Sequence, residues 1–141
     1  MLINTRDFGE IEFDESKIIT FVSPILGFEE YQKYIMIFDE QFRDGLGWLQ
    51  SLENADLCFI VLNPKLLDIE YNPKFPIEIM EKIDNRYDGI WLIATVGDEI
   101  VNTTVNLKSP ILINSDGNRA VQIVSENDLP IKHKIFSQKE K

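Results

Sequence analysis

The chain holds one cysteine and one histidine in 141 residues, Cys58 and His133. No disulfide can close within a single chain, and a Cys/His zinc site or a His-dependent hydrolase has too few of its working groups. Cys58 stands in Leu57-Cys58-Phe59-Ile60-Val61-Leu62, where it reads as a small packed hydrophobe. Long apolar runs are lacking too: no stretch approaches the roughly 18 residues of a membrane span. Met1-Leu2-Ile3-Asn4-Thr5-Arg6-Asp7 shows no basic start followed by an apolar run. A cytoplasmic protein without membrane contact, cofactor or metal is therefore expected.

Positive charge is also scarce. Against 24 Asp and Glu stand 14 Lys and Arg, for a formal charge of −10. Four of those cations lie in residues 132–141 beside one acidic residue, so the first 131 residues hold ten cations and 23 anions, a net −13. Such a body repels phosphates and attracts basic protein surfaces over about 8 Å at physiological salt. Direct nucleic-acid binding is disfavoured, although the acidity also serves solubility.

What the chain does have is short β-branched and aromatic runs separated by turn residues. Gly9-Glu10-Ile11-Glu12-Phe13 alternates, so Ile11 and Phe13 share a face. Ile18 to Val22, Tyr34 to Phe38, Leu57 to Leu62 and Gly89 to Val96 read as further strands, with Trp48 to Leu52 and Val101 to Asn106 as weaker ones. Asp116-Gly117 sits between two apolar runs, Asn106 to Asn114 and Arg119 to Val124, and marks a hairpin whose turn needs positive φ. Helix is confined to Pro76 to Ile83, where Ile79 and Ile83 stand four apart, and a turn is expected at Phe28 to Lys33. The expected fold is mostly β: a small antiparallel β-barrel-like single domain with one short helix, a two-sheet sandwich being the alternative closure. Residues 1–131 form that domain and residues 132–141 a basic, mobile C-terminal tail.

Few patterns suggest chemistry. Asp84-Asn85-Arg86-Tyr87-Asp88-Gly89 begins like a calcium loop, but Arg86 occupies a ligand place and Thr95 stands where Glu belongs, so a tight turn is the better reading. The pairs Glu29-Glu30, Asp39-Glu40 and Asp98-Glu99 are adjacent, and adjacent strand residues point to opposite faces. Gly45-Leu46-Gly47 lacks the helix and lysine of a phosphate cradle. Left over are apolar residues in irregular segments, notably Pro24 to Glu29, Tyr71, Phe75 and Phe136, which read singly as loop anchors and together as a protein-binding surface.

Leu26-Gly27-Phe28-Glu29, Leu49-Gln50-Ser51, Phe59 to Pro64 and Asn106 to Asn114 occur in an order and spacing that resemble the flagellar assembly factor FliW family. The likeness runs from Ile11 and Phe13 to His133-Lys134-Ile135-Phe136. It departs at Pro24, where the family usually has Gly, at Leu26, often Pro, and at Ser109, commonly Ala. The resemblance implies a non-enzymatic β-barrel that binds the filament protein flagellin. Free of flagellin, it binds the RNA-binding translational regulator CsrA and antagonises it allosterically, which relieves repression of flagellin synthesis. The alternative is a carboxylate-dependent enzyme or small-ligand binder using a barrel mouth; a direct nucleic-acid binder is the third reading.

For partner contact, Phe28, Tyr71 and Phe75 are candidate apolar anchors and Glu70 and Glu78 candidate partners for basic groups. Phe136, beside Lys132, His133 and Lys134, either covers a strand edge or belongs to a recognition tail. Pro110 and Asn114 are expected to shape the hairpin and Asn106 to bind backbone at its start. A monomer is expected for the free protein.

Overall fold

The computed structural model describes residues 1–38, 45–67, 69–96 and 98–135. Among these residues eleven strands follow one another: β1 (Leu2–Thr5), β2 (Gly9–Glu12), β3 (Ile19–Ser23), β4 (Lys33–Phe38), β5 (Leu46–Ser51), β6 (Cys58–Leu62), β7 (Gly89–Thr95), β8 (Thr104–Val105), β9 (Ile111–Asn114), β10 (Arg119–Gln122) and β11 (His133–Lys134). The helix α1 (Ile77–Met80) runs into a 3-10 turn at Glu81–Ile83, as the Ile79/Ile83 spacing suggests. The expected turn at Phe28 to Lys33 is closed by Tyr31 N–H donating to the Phe28 carbonyl at 3.1 Å.

Seven strands close a barrel in the order β7-β6-β5-β4-β3-β10-β9, and β9 returns to β7. Closure depends on how β7 divides one of its edges. Its first half, Gly89 to Trp91, pairs with Ile113 to Ile111 of β9, whereas Ala94 and Thr95 pair with Val105 and Thr104 of β8. β11 adds outside β8 through His133 and Lys134, so the sheet extends past residue 131. Every ladder is antiparallel except β3 with β10, which run parallel across a bulge between Ala120 and Val121.

Alternation sorts the side chains. Ile19 and Phe21, Tyr34, Leu49, Val61, Trp91, Ile111, Ile113 and Ala120 fill the barrel, with Phe28, Tyr31, Met36, Phe59 and Ile93 packed against them. Intervening residues face outward and are covered again. Leu62 and Leu92 meet Leu107, Tyr71 and Ile135, while Leu112 and Val121 meet Ile83, Phe75 and Ile79 beneath α1. Burial on both faces explains why these strands read as continuous apolar runs. The hairpin β1-β2, whose first strand was not anticipated, lies against the barrel with Phe8 edge-on to Trp48 at 5.5 Å.

Hairpin β9-β10 turns over Ser115 to Asn118, with Gly117 at φ 88° and Asn118 at φ 49°. The left-handed residues are thus Gly117 and Asn118, one place later than Asp116. Asn114 accepts from the Asp116 N–H at 2.9 Å and donates to the Ile83 carbonyl at 3.0 Å, and Asn106 accepts from the Ser109 N–H at 3.0 Å.

Candidate partner-binding site

Residues 63–67 and 69–80 lie on the outer flank of the barrel in an order their sequence explains. Asn63 caps a 3-10 turn at Pro64–Leu66, its side chain accepting from the Lys65 N–H at 2.9 Å with Pro64 in the first turn. The extended stretch that follows is held by side chains. Tyr71 Oη donates to the Leu107 carbonyl oxygen at 2.6 Å, and Lys74 N–H donates to Ser125 Oγ at 3.1 Å and to Asn127 Oδ1 at 3.0 Å. Asn127 Nδ2 reaches the Asn72 carbonyl at 3.2 Å and Glu126 N–H the Lys74 carbonyl at 2.8 Å. Burial raises the Tyr71 phenol far above its usual range, so it stays a neutral donor.

Along this flank runs a groove of about 460 Å³ between Pro64, Leu67, Ile69, Tyr71, Tyr87 and Ile90. Phe75 stands edge-on to Tyr87 at 5.7 Å and so joins the same surface. Glu70 and Glu78 are exposed on either side of this aromatic stretch. Tyr71 and Phe75 are half-buried, packed against Leu107 and Ile83 respectively. Both are anchors first, with part of each ring left on the surface.

Phe28 lies elsewhere. It packs edge-on to Phe59 at 5.1 Å at one end of the barrel, beside a cleft of about 250 Å³ that also touches Leu26, Ile131 and Lys132. The structure therefore groups Glu70, Tyr71, Phe75 and Glu78 on one segment and leaves Phe28 in a separate cluster. Phe136 and the pair Asp39-Glu40 lie outside the described residues.

Sequence reasoning missed Leu66, Ile69, Ile77 and Tyr87, all exposed apolar residues of this flank, Ile77 at 70%. A signal for Ile77 existed: two residues before Ile79, it falls off the face that Ile79 and Ile83 define. For Tyr87 the Asp84 to Gly89 turn gave none. That turn is tight as expected, with Asp84 and Asn85 both left-handed at φ 57°, and Asp84 pairs with Arg119.

The opposite candidate, a barrel mouth, is also present. A cavity of about 510 Å³ opens between Ile19, Met36, Phe38, Trp91 and Ile113, with Phe38 half exposed and tilted against Trp91 at 6.0 Å. Asp88 is the only carboxylate on this lining among the described residues. Hydrogen bonds from the Ser115 hydroxyl and N–H lower its pKa, and a carboxylate held in that way is a poor proton carrier. The Cys58 thiol is pushed up to about 11, mainly by burial, which keeps it protonated and unreactive.

Fold and flank together define a small closed β-barrel carrying a pinned surface segment of aromatic, aliphatic and acidic residues, the build of a protein-binding module. The family model described as FliW protein matches residues 2–135, and the chain belongs to the FliW family. It is 36% identical to the flagellar assembly factor FliW of Caldanaerobacter subterraneus subsp. tengcongensis, covering 98% of this chain and 95% of that one. It is 37% identical to the same factor of Syntrophus aciditrophicus, covering 99% and 90%. A crystal structure of the flagellar assembly factor FliW superposes with a TM-score of 0.86 at 27% identity over 99% of both chains. The family is one of flagellar assembly factors rather than of enzymes, and a factor of assembly acts through protein partners. No helix among the described residues is long and apolar enough to cross a membrane.

Proposed function

We propose that this chain binds flagellin and, when free of it, binds CsrA and antagonises RNA binding allosterically, which relieves repression of flagellin synthesis. The observation that carries this reading is the end-to-end membership of the FliW family, whose relatives bear the description flagellar assembly factor. The acidic body supplies a physical reason. Held beside a basic RNA groove, a −10 protein lowers the positive potential on which phosphate contacts depend, so RNA affinity falls without the two ligands touching. Glu70 and Glu78 are the groups that meet basic residues of a partner, and the exposed parts of Tyr71 and Phe75 supply apolar contact. Phe28 is a second anchor at the barrel end, and Phe136 belongs to the basic C-terminal stretch. Both partners are met in the cytoplasm, before flagellin leaves the cell, and the free protein is a monomer.

The test is a titration of labelled leader RNA bound to CsrA with this protein, repeated with excess flagellin. Release of RNA that flagellin reverses is the expected result. Absence of binding to both folded partners overturns the reading. The ratio of RNA affinities with and without the protein should shrink as salt rises, because an electrostatic antagonism is screened; a ratio independent of salt points to a conformational mechanism instead.

A further inference from the structure

Among the described residues, β2 leaves one backbone edge without a paired strand. Met1 and Phe13 exchange hydrogen bonds of 2.9 and 2.8 Å, and an antiparallel ladder alternates from there, so Ile3/Ile11 and Thr5/Gly9 are the next hydrogen-bonded pairs. Glu10 and Glu12 consequently turn their N–H and C=O groups away from β1. β1 likewise pairs with no strand but β2 among the described residues, and one residue past it the Arg6 N–H donates to the Ala55 carbonyl at 3.1 Å. On the outer edge of β2 no strand is paired among the described residues.

Beside that edge runs a groove of about 380 Å³, lined by Ile11 and Phe13 of the hairpin and Ile35 and Ile37 of β4, with two carboxylates, Glu12 and Asp14, against one cation, Lys17. Residues 9–15 hold Glu10, Glu12, Asp14 and Glu15 and no cation. Period-two geometry gives the two features a common meaning. A strand added to β2 would send one alternate set of side chains to the side of Ile11, over the apolar groove, and the other set beside Glu10 and Glu12.

We propose that the outer edge of β2 takes up an extended segment of a partner protein in which basic residues alternate with small apolar ones, bound as an added strand. A second copy of this chain is a poor occupant, because pairing β2 with itself sets Glu against Glu. The surface lies on β2 and β4, away from the flank at residues 63–80, and the inference does not rest on the flagellin and CsrA reading.

The probe is a fluorescein-labelled nonapeptide alternating lysine and valine, titrated with the full chain and read by anisotropy. Saturable binding is expected, at least tenfold weaker for the same peptide N-methylated on its pairing edge, which keeps the charge and removes the donors. Glu12→Pro should weaken binding at least tenfold as well, since it removes an outward N–H and leaves the β1 ladder intact. Glu10→Lys should weaken it several-fold and improve binding of a glutamate-valine peptide. Equal affinity for the methylated peptide assigns the attraction to general charge and overturns the proposal, as does absence of binding at millimolar peptide. Should Glu12→Pro melt early, the methylated peptide and Glu10→Lys decide.

Discussion

The Tyr71 hydroxyl donates to the Leu107 carbonyl oxygen across 2.6 Å and ties the flank segment to the chain that leads into β9. Both residues share one buried cluster with Leu62, Leu92 and Val105, so the bond sits at the edge of a packed layer. Any surface that residues 69–78 offer is held in place at this point.

Tyr71→Phe removes the donor and leaves a half-buried carbonyl without its partner. A loss of about 1–2 kcal/mol is expected in urea unfolding, with little change in the folded structure. A loss under a few tenths would mean that water replaces the bond and that the segment is held by Lys74 and Asn127 instead.

Glu70→Lys combined with Glu78→Lys tests the contact role directly. Both side chains are exposed, so the melting temperature should hardly move. Affinity for a basic partner should fall by about tenfold or more at low salt, the loss shrinking at higher ionic strength. Unchanged affinity would remove this flank from the footprint.

Phe8→Ala deletes the ring that stands edge-on to Trp48 and holds the N-terminal hairpin to the barrel. Stability should drop by about 1–3 kcal/mol, less than for a fully buried phenylalanine because Phe8 is half-buried. Emission from Trp48 should shift to longer wavelength as water reaches the indole. An unshifted spectrum would show that the hairpin stays seated without Phe8.

Asp88 predicts a pH dependence. Its pKa is lowered by the Ser115 hydroxyl first and the Ser115 N–H second, so its stabilising effect is full above the ordinary carboxylate pKa of about 4 and is lost as pH falls through the lowered value. Ser115→Ala should therefore destabilise the protein at pH 7 and converge with the wild type only once pH has fallen below that lowered value. A difference that persists in acid would assign the effect to the turn and not to the carboxylate.

Gly117 sits at φ 88°, where a side chain is strained whatever space surrounds it. Gly117→Ala should cost about 1–2 kcal/mol. A neutral substitution, measured by thermal unfolding, would mean that the turn changes type.

The strands were legible because their causes are local. Period-two alternation placed β2, β-branched and aromatic runs placed β3, β4, β6 and β7, and the Asp116-Gly117 turn placed the β9-β10 hairpin. Leu2–Thr5 escaped because its two apolar residues, Leu2 and Ile3, are adjacent and show none of the alternation that marks Ile11 and Phe13. Val101 to Asn106 was expected as one strand, yet only Thr104–Val105 pairs, behind a 3-10 turn at Ile100–Asn102. Its extent is set by how much of the β7 edge β9 leaves free.

Of the candidate contact residues, Glu70 and Glu78 could be placed on the surface from charge alone. The packing of Phe28, Tyr71 and Phe75 could not be read, because burial belongs to a residue's neighbours: Phe59, Leu107 and Ile83 lie 31, 36 and 8 positions away in sequence.

Sequence by itself determined the class of structure, the acidic surface and the order of motifs that marks the family. Only the tertiary structure decided that β7 divides its edge between β8 and β9, that β3 and β10 pair in parallel, and that the barrel closes at seven strands. Backbone hydrogen bonds are the same for every residue but proline, so strand partners are chosen by which faces must be buried together, and that choice exists only once the whole chain is assembled.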